Sequence, residues 1–307
     1  MKVRVIANPL AGAGSARRKL PAIVRAFRAR GQDHEVVTTS RPGDATGLAR
    51  AARDAGVSVI VVVGGDGTLN EVAQAYLDDR GEFVPGPELA LVPAGTGGDF
   101  RRTLGLDEAA ENAVTRLLSA APRPIDMGIL SFVADSGKPA TRAFVNIASF
   151  GTSGKVDRLV NATPKWMGGR LAFAIGTVRA LATYRNAPVS VKVDGEAFYE
   201  GPISVTAIAN GRCFGGGMKI APQADPSDGL FDVVIVGDIG FGESLARAPE
   251  LYKGEHIGKS SVFSTRGKVV IAEPRNLDPV YIDTDGEAPG RLPLTARVVP
   301  GALRFRY

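Results

Sequence analysis

Val57-Ser58-Val59-Ile60-Val61-Val62-Val63-Gly64-Gly65-Asp66-Gly67-Thr68-Leu69-Asn70-Glu71 is the stretch from which the fold is read. A near-continuous β-branched run is what a strand buried on both faces requires. It passes without a break into a glycine-rich turn that opens a helix. Ligands of open α/β sheets gather at such strand ends. Glycines let the backbone approach a phosphate, and a helix N-terminus presents free N–H groups to it. Asp66 can orient a metal or a transferred phosphoryl group. An ordinary strand-to-helix turn is the plain alternative. Three glycines around an Asp, followed by Thr and then Asn-Glu, weigh against it. The turn is neither a Walker loop nor a G-x-G-x-x-G fingerprint. It reads as the phosphate grip of a phosphotransferase.

Outward from this stretch, strands are expected at residues 2–8, 34–39 and 89–92. Helices are expected at 16–30, 44–55, 69–77 and 108–119. The alternation implies an α/β N-terminal domain, residues 1–125, with a parallel sheet and helices on both faces. From about residue 125 short β segments take over, at 189–193, 203–210, 231–236, 268–272, 280–285 and 295–299. Turns carrying Gly, Pro or Asp separate most of them. This predicts an antiparallel β-sandwich, or a partly closed barrel, as a second domain over 126–307. One amphipathic helix, 170–184, interrupts it, with Leu171, Ala174, Ile175, Val178 and Leu181 on one side. That stripe reads as core packing, or as the border of an acyl channel.

A chain of 307 residues is longer than one core usually holds, which agrees with two domains. The single cysteine, Cys213, forbids an intrachain disulfide and suits a reducing compartment. The N-terminus reads as an immediate strand, not a signal peptide, and the purest apolar run is far too short to span a bilayer. A cytoplasmic protein, or one peripheral on a membrane, is expected. The net charge of +5 suits anionic partners without choosing among them. The basic residues are scattered and carry no aromatic-basic RNA motif, so no nucleic-acid partner is expected. His34 and His256 have no metal-ligand spacing and read as structural or surface residues.

Two further turns follow strands. Asn8-Pro9-Leu10-Ala11-Gly12 comes after the first, and Pro93-Ala94-Gly95-Thr96-Gly97-Gly98-Asp99-Phe100 after residues 89–92. Three glycine-bearing loops at three strand ends can line one phosphate-binding edge. The second domain offers acids. Asp225 and Asp228 lie three apart in a Pro-rich turn; they suit a hard cation such as Mg²⁺, and the composition suits a plain β-turn at least as well. In Asp283-Thr284-Asp285-Gly286-Glu287, Asp285 and Glu287 share a face if the strand continues through Gly286. Such a pair can serve as base and orienting partner for a hydroxyl nucleophile. A solvated hairpin end is the alternative.

Asn8-Pro9-x-Ala11-Gly12, Gly64 to Glu71, Gly95-Thr96-Gly97-Gly98-Asp99-Phe100, Asp225-x-x-Asp228-Gly229 and Asp285-Gly286-Glu287, in that order, resemble the diacylglycerol kinase catalytic-domain family. The resemblance spans nearly the whole chain and is strongest to the soluble bacterial lipid kinases. It implies an ATP site in the cleft between the two domains. By position, Asn8, Pro9, Leu10, Ala11, Gly12, Thr39, Gly65, Asp66, Gly67, Thr68, Leu69, Asn70, Glu71, Thr96 and Asp99 would bind the nucleotide. Asp66, Asp99 and Asp126 match acids near a catalytic Mg²⁺. Asp225, Asp228 and the Leu230 carbonyl match a second Mg²⁺ site. Glu287 matches the proton acceptor, with Asp285 beside it. One departure stands out: Gly98 occupies a position that is usually Asn, which puts the fine positioning of the nucleotide in doubt. The implied activity is ATP-dependent phosphorylation of a primary hydroxyl on a diacylglycerol-like lipid, at a membrane touched transiently. A kinase of a soluble substrate such as NAD, and a catalytically silent nucleotide-binding regulator, are the rivals. The particular lipid stays open, as does oligomeric state, with a homodimer among the options.

Overall fold

A computed structural model describes residues 1–106, 109–161 and 183–307. The first half is built from β1 (Val3–Ala7), α1 (Ala11–Ala29), β2 (His34–Thr38), α2 (Asp44–Asp54), β3 (Val59–Gly64), α3 (Asp66–Ala73), β4 (Glu88–Pro93), α4 (Asp99–Thr103) and α5 (Ala110–Ser119). A 3-10 turn, Gln74–Tyr76, extends α3. β1 lies between β2 and β3, and β4 flanks β3, all parallel. Period-two alternation divides the β3 side chains. Val59, Val61 and Val63 pack with Ile23, Phe27 and Leu117 under α1 and α5. Ile60 and Val62 pack with Ala49, Leu69 and Val72 under α2 and α3. Both faces are covered, which is why this strand has no polar side. In the order β2-β1-β3-β4 the connections leave in opposite directions from β1 and β3. The crevice above their carboxyl ends is where such sheets bind ligands.

The second half holds β5 (Arg123–Ala134), β6 (Pro139–Phe144), β7 (Ile147–Gly151), α6 (Thr152–Asn161), β8 (Ala187–Val193), β9 (Glu196–Ile203), β10 (Val205–Ala209), β11 (Phe231–Val236), α7 (Phe241–Lys253), β12 (Val262–Gly267), β13 (Val269–Pro274), β14 (Tyr281–Thr284) and β15 (Glu287–Phe305). β12-β11-β10-β7-β14 form one antiparallel layer, and β9-β8-β13-β15-β5-β6 the other. Phe144, Phe150, Phe231, Val191 and Leu294 fill the space between them. The expected sandwich is therefore present. β15 ends as a parallel neighbour of β4, through Phe305 opposite Leu89. Leu303 and Phe305 share one core with Ile60 and Leu89.

Several strands were not expected from the sequence. β5 contains Pro124, Asp126 and Gly128, all poor strand formers. The fold gives each of the latter two a reason. Asp126 accepts the N–H groups of Gly229 and Gly301, both at 2.7 Å, and a Cβ on Gly128 would lie 2.1 Å from the Phe144 ring. β6, β7, β9 and β12 were also missed, and β15 runs far beyond 295–299. The helix expected at 170–184 lies, but for Thr183 and Tyr184, outside the described residues.

Candidate nucleotide and acceptor site

The three predicted loops meet at the carboxyl edge of β1, β3 and β4, and backbone sterics account for their glycines. The Ala94 N–H donates to the Gly64 carbonyl at 2.8 Å, and the Asn8 N–H to the Val63 carbonyl at 3.0 Å. A Cβ on Gly95 would lie 2.4 Å from the Gly65 Cα, and one on Gly12 would lie 2.0 Å from the Ala94 oxygen. No residue with a side chain fits at those contacts. Gly12, Ala13 and Gly14 are all left-handed, at φ +58°, +52° and +81°, so the chain makes a tight left-handed turn before α1 becomes regular. Asn8 pins this turn: its Oδ1 accepts the Leu10 N–H at 3.1 Å and its Nδ2 donates to Thr68 Oγ1 at 3.3 Å. Leu10 is exposed, Pro9 is partly buried, and Thr96 is exposed at the tip of its loop. Thr39 closes the edge, its N–H donating to the Ala7 carbonyl.

α3 starts without a side-chain cap, so the amides of its first turn have no intrahelical partner. Asp66, in that turn, reaches sideways to cap α4. Its carboxylate accepts the Asp99 N–H at 2.8 Å and the Phe100 N–H at 3.3 Å. Burial pushes the Asp66 carboxyl up to about 6, against the pull of those amides, and the charge of Asp99 adds to the push. Asp99 is buried, with its oxygens held by Arg102 Nη1 and the Gly216 N–H, each at 2.9 Å. A Cβ on Gly97 would lie 3.6 Å from Asp66 Oδ2 and 3.9 Å from Asp99 Oδ2. The two carboxylates thus flank a gap that a glycine leaves open. Gly98 is left-handed, at φ +64° and ψ 45°. Asn and Gly are the residues that tolerate this conformation best, so the replacement of Asn by Gly keeps the turn.

The acids of the second half fall differently. Asp285 and Gly286 have φ of +53° and +88°, and Thr284 pairs with Glu287. They are the two central residues of a tight β14–β15 hairpin, the conformation for which Asp-Gly is suited. The strand does not continue through Gly286, so the expectation that Asp285 and Glu287 share a strand face is corrected: the chain reverses between them. Asp285 turns inward. Its carboxylate accepts Asn70 Nδ2 and the Val145 and Ile147 N–H groups at 2.9 Å, and the Asn146 N–H at 3.1 Å. Burial raises it to about 6 despite these donors. With its lone pairs committed, Asp285 clamps the hairpin to β7. Glu287 is 37% exposed at its side chain and pairs with Arg142 Nη2 at 2.6 Å. Asp283 accepts Ser149 Oγ and the Gly286 N–H and shapes the same turn.

Asn70 is fully buried and saturated. Its Nδ2 serves Asp285 and the Ala143 carbonyl, and its Oδ1 accepts Gln74 Nε2 and Arg142 Nη2. Leu69 is buried as well, and Glu71 Oε2 accepts the Ala45 N–H that opens α2. The side chains of these three expected nucleotide contacts are turned into the fold, and Thr68 is buried with its Oγ1 accepting from Asn8, which leaves Gly65, Asp66 and Gly67 as the part of the motif at the edge. Arg142, Gln74 and Asp283 were not singled out in the sequence.

The Asp225–Leu230 turn does not assemble the second cation site. Asp225 Oδ1 accepts the Ser227 N–H and hydroxyl, Asp228 Oδ1 accepts the Leu230 N–H, and Asp228 Oδ2 is paired with Arg266. Among the described residues no three His, Cys, Asp or Glu side chains converge as metal ligands. Asp126 sits beside this turn, with Asp225 as its charged neighbour. Asp232 is raised to about 6 by burial and by Asp225. These groups do not fit a closed Mg²⁺ site as they stand, because Arg266 already neutralises Asp228.

Comparisons with known proteins agree with this geometry. Residues 2–130 match the diacylglycerol kinase catalytic domain, and residues 146–306 the YegS C-terminal NAD kinase beta sandwich-like domain. A diacylglycerol kinase of Bacillus subtilis is 30% identical over 298 residues, 95% of this chain and 91% of that protein. A Xanthomonas euvesicatoria protein named as a YegS-like lipid kinase is 34% identical over 98% of this chain and 94% of its own. A Bacillus anthracis crystal structure named for a diacylglycerol kinase superposes with a TM-score of 0.78 at 26% identity, covering 100% of this chain and 96% of that one. An Archaeoglobus fulgidus NAD kinase shares the fold alone, with a TM-score of 0.54 at 15% identity. Two profiles that together cover almost the whole chain, and relatives aligned end to end, place it: the chain belongs to the diacylglycerol kinase family of lipid kinases, in its YegS-like bacterial branch.

Proposed function

We propose that the protein transfers the γ-phosphoryl group of ATP to a primary hydroxyl of a diacylglycerol-like lipid. The observation that carries the reading is the glycine-only packing of three loops over β1, β3 and β4, tied through Asn70 to the hairpin that bears Glu287. Phosphoryl transfer asks a protein for positioning and charge neutralisation. The Asn8–Gly12 and Gly64–Thr68 loops would hold the phosphates with backbone amides. Asp66 and Asp99, flanking the gap at Gly97, would face the Mg²⁺ that travels with the nucleotide, Asp99 having to release Arg102 to ligate it, and that ion would offset charge on the phosphates. Glu287, half open to solvent, would take the proton of the lipid hydroxyl. Asp285 supports it through the hairpin instead of sharing the proton.

No helix among the described residues is long and apolar enough to cross a membrane. A cytoplasmic enzyme that meets its lipid by transient surface contact is the corresponding proposal. The discriminating experiment supplies the purified protein with radiolabelled ATP, a lipid panel and NAD. Label in the organic phase is expected. Label confined to aqueous NADP would replace this reading with the soluble-substrate one. Nucleotide binding with no transfer to any lipid would favour a silent regulator.

A further inference from the structure

We infer that Arg142 is a positioning residue for the phosphoryl acceptor site, fixing Glu287 against the nucleotide-loop helix. The inference rests on the reading of Glu287 as proton acceptor. One guanidinium nitrogen, Nη2, meets Glu287 Oε2 at 2.6 Å and Asn70 Oδ1 at 3.1 Å. Asn70 cannot move to suit it, because Gln74 holds the same Oδ1 while Asp285 and Ala143 hold its Nδ2. Asn70 lies four residues after Asp66 on α3, one turn along the same helix face. A three-link path, Asp66 to Asn70 by the helix, Asn70 to Arg142, and Arg142 to Glu287, therefore sets where the glutamate stands relative to the phosphate loop.

Exposed ion pairs contribute little. This one differs in three ways. The Arg142 side chain is only 25% exposed, its Nε is buried with no hydrogen-bond partner, and it joins residues far apart in the chain. A planar guanidinium presents several donors at fixed angles and can hold an amide oxygen and a carboxylate at once; an ammonium is a single point charge. Among the described residues Arg142 is the ion-pair partner of Glu287, so without Arg142 the carboxylate loses the contact that fixes it. A displacement of the order of 1 Å at a reacting group costs about 10²-fold in rate.

The test compares Arg142→Met, Arg142→Lys, Glu287→Gln and the Arg142→Met/Glu287→Gln double variant. The assay uses ATP and a short-chain diacylglycerol, and circular dichroism checks the fold. Arg142→Met is expected to lower kcat by about 10²-fold while KM for ATP and for lipid each stay within about threefold. Arg142→Lys should recover part of the loss. The double variant should be no slower than Glu287→Gln alone within about threefold, as residues acting as one unit are not additive. A wild-type kcat in Arg142→Met overturns the inference, as does a loss expressed in the KM for ATP, which would make Arg142 a nucleotide contact. Multiplicative effects in the double variant overturn it too. If Glu287→Gln itself turns over at the wild-type rate, the proton-acceptor reading falls and takes this inference with it. If Glu287→Gln is slow while Arg142→Met is fast, only the inference falls.

Discussion

Asp285→Asn should be a stability lesion before it is a catalytic one. The carboxylate accepts four donors, two on each oxygen: Asn146 and Ile147 N–H on Oδ1, and Val145 N–H and Asn70 Nδ2 on Oδ2. An asparagine in the same rotamer keeps one oxygen and so at most two of them. The other two would face its own NH₂. A hydrogen bond to a charged group contributes about 1.5–3 kcal/mol. Losing two therefore costs about 3–6 kcal/mol, a large share of the ~5–15 kcal/mol that holds a domain folded. Asp285→Ala strands all four and should cost more. Glu287→Gln, by contrast, disturbs one half-exposed pair and should change stability by less than about 1 kcal/mol. Urea titration followed by circular dichroism reads the difference as a shift of midpoint at constant slope. An Asp285→Asn protein within about 1 kcal/mol of wild type, yet inactive, would refute the clamp and return Asp285 to a chemical role.

Gly95→Ala should weaken nucleotide binding at least about tenfold, because its Cβ would stand 2.4 Å from the Gly65 backbone and must push the two phosphate loops apart; titration calorimetry with ATP checks this, and unchanged affinity would show that the loops are not one binding surface. Gly98→Asn should keep activity within about tenfold, since Asn accepts the left-handed φ and only the Arg101 side chain, whose Nε would lie 2.3 Å from the new Cβ, must move aside, whereas Gly98→Val should lose nucleotide binding; equal behaviour of the two would contradict the backbone argument. The folded pKa values of Asp66, Asp232 and Asp285 are raised to about 6, above the unfolded value near 4. The folded chain then binds the extra protons between those values, so this contribution is present below about pH 4 and is lost as pH rises through about 6. Urea midpoints should fall from pH 5 to pH 7.5, each group giving at most about 1.4 kcal/mol per pH unit, and midpoints that rise over that range would count against the burial of these acids.

The part of the fold that sequence made legible is the part where local pattern and tertiary demand agree. β3 is apolar on both faces because helices cover both faces, and the glycines after it are visible as glycines whatever the partner loop is. β5 was illegible for the opposite reason. Its Pro124, Asp126 and Gly128 argue against a strand, and they are tolerated only because Gly229, Gly301 and Phe144 come from distant chain segments to meet them. The Asp285-Gly286 hairpin could have been read, since Asp-Gly between apolar strands is a strong turn signal. Pairing Asp285 with Glu287 by strand periodicity set that signal aside. Arg142 and Gln74 could not have been found this way, because what gives them their place is contact across some seventy residues of chain, Arg142 with Asn70 and Gln74 with Ala143.

Asn70 and β15 make the two halves of the site hard to separate. β15 carries Glu287 at its start and Phe305 at its end, and Phe305 pairs beside β4, the strand that leads into the Gly95–Gly98 loop. Leu303 and Phe305 are fully buried in the core that α3 also packs on. At the other end of the strand, Asn70 of α3 binds Asp285 directly and Glu287 through Arg142. Glu287 is thus tied to the framework of the three loops at both ends of one strand, by core packing at one and by hydrogen bonds at the other. In the proposed reading, a site held in this way keeps Glu287 in register with the three loops, and the Arg142 pair is the last link that sets its position.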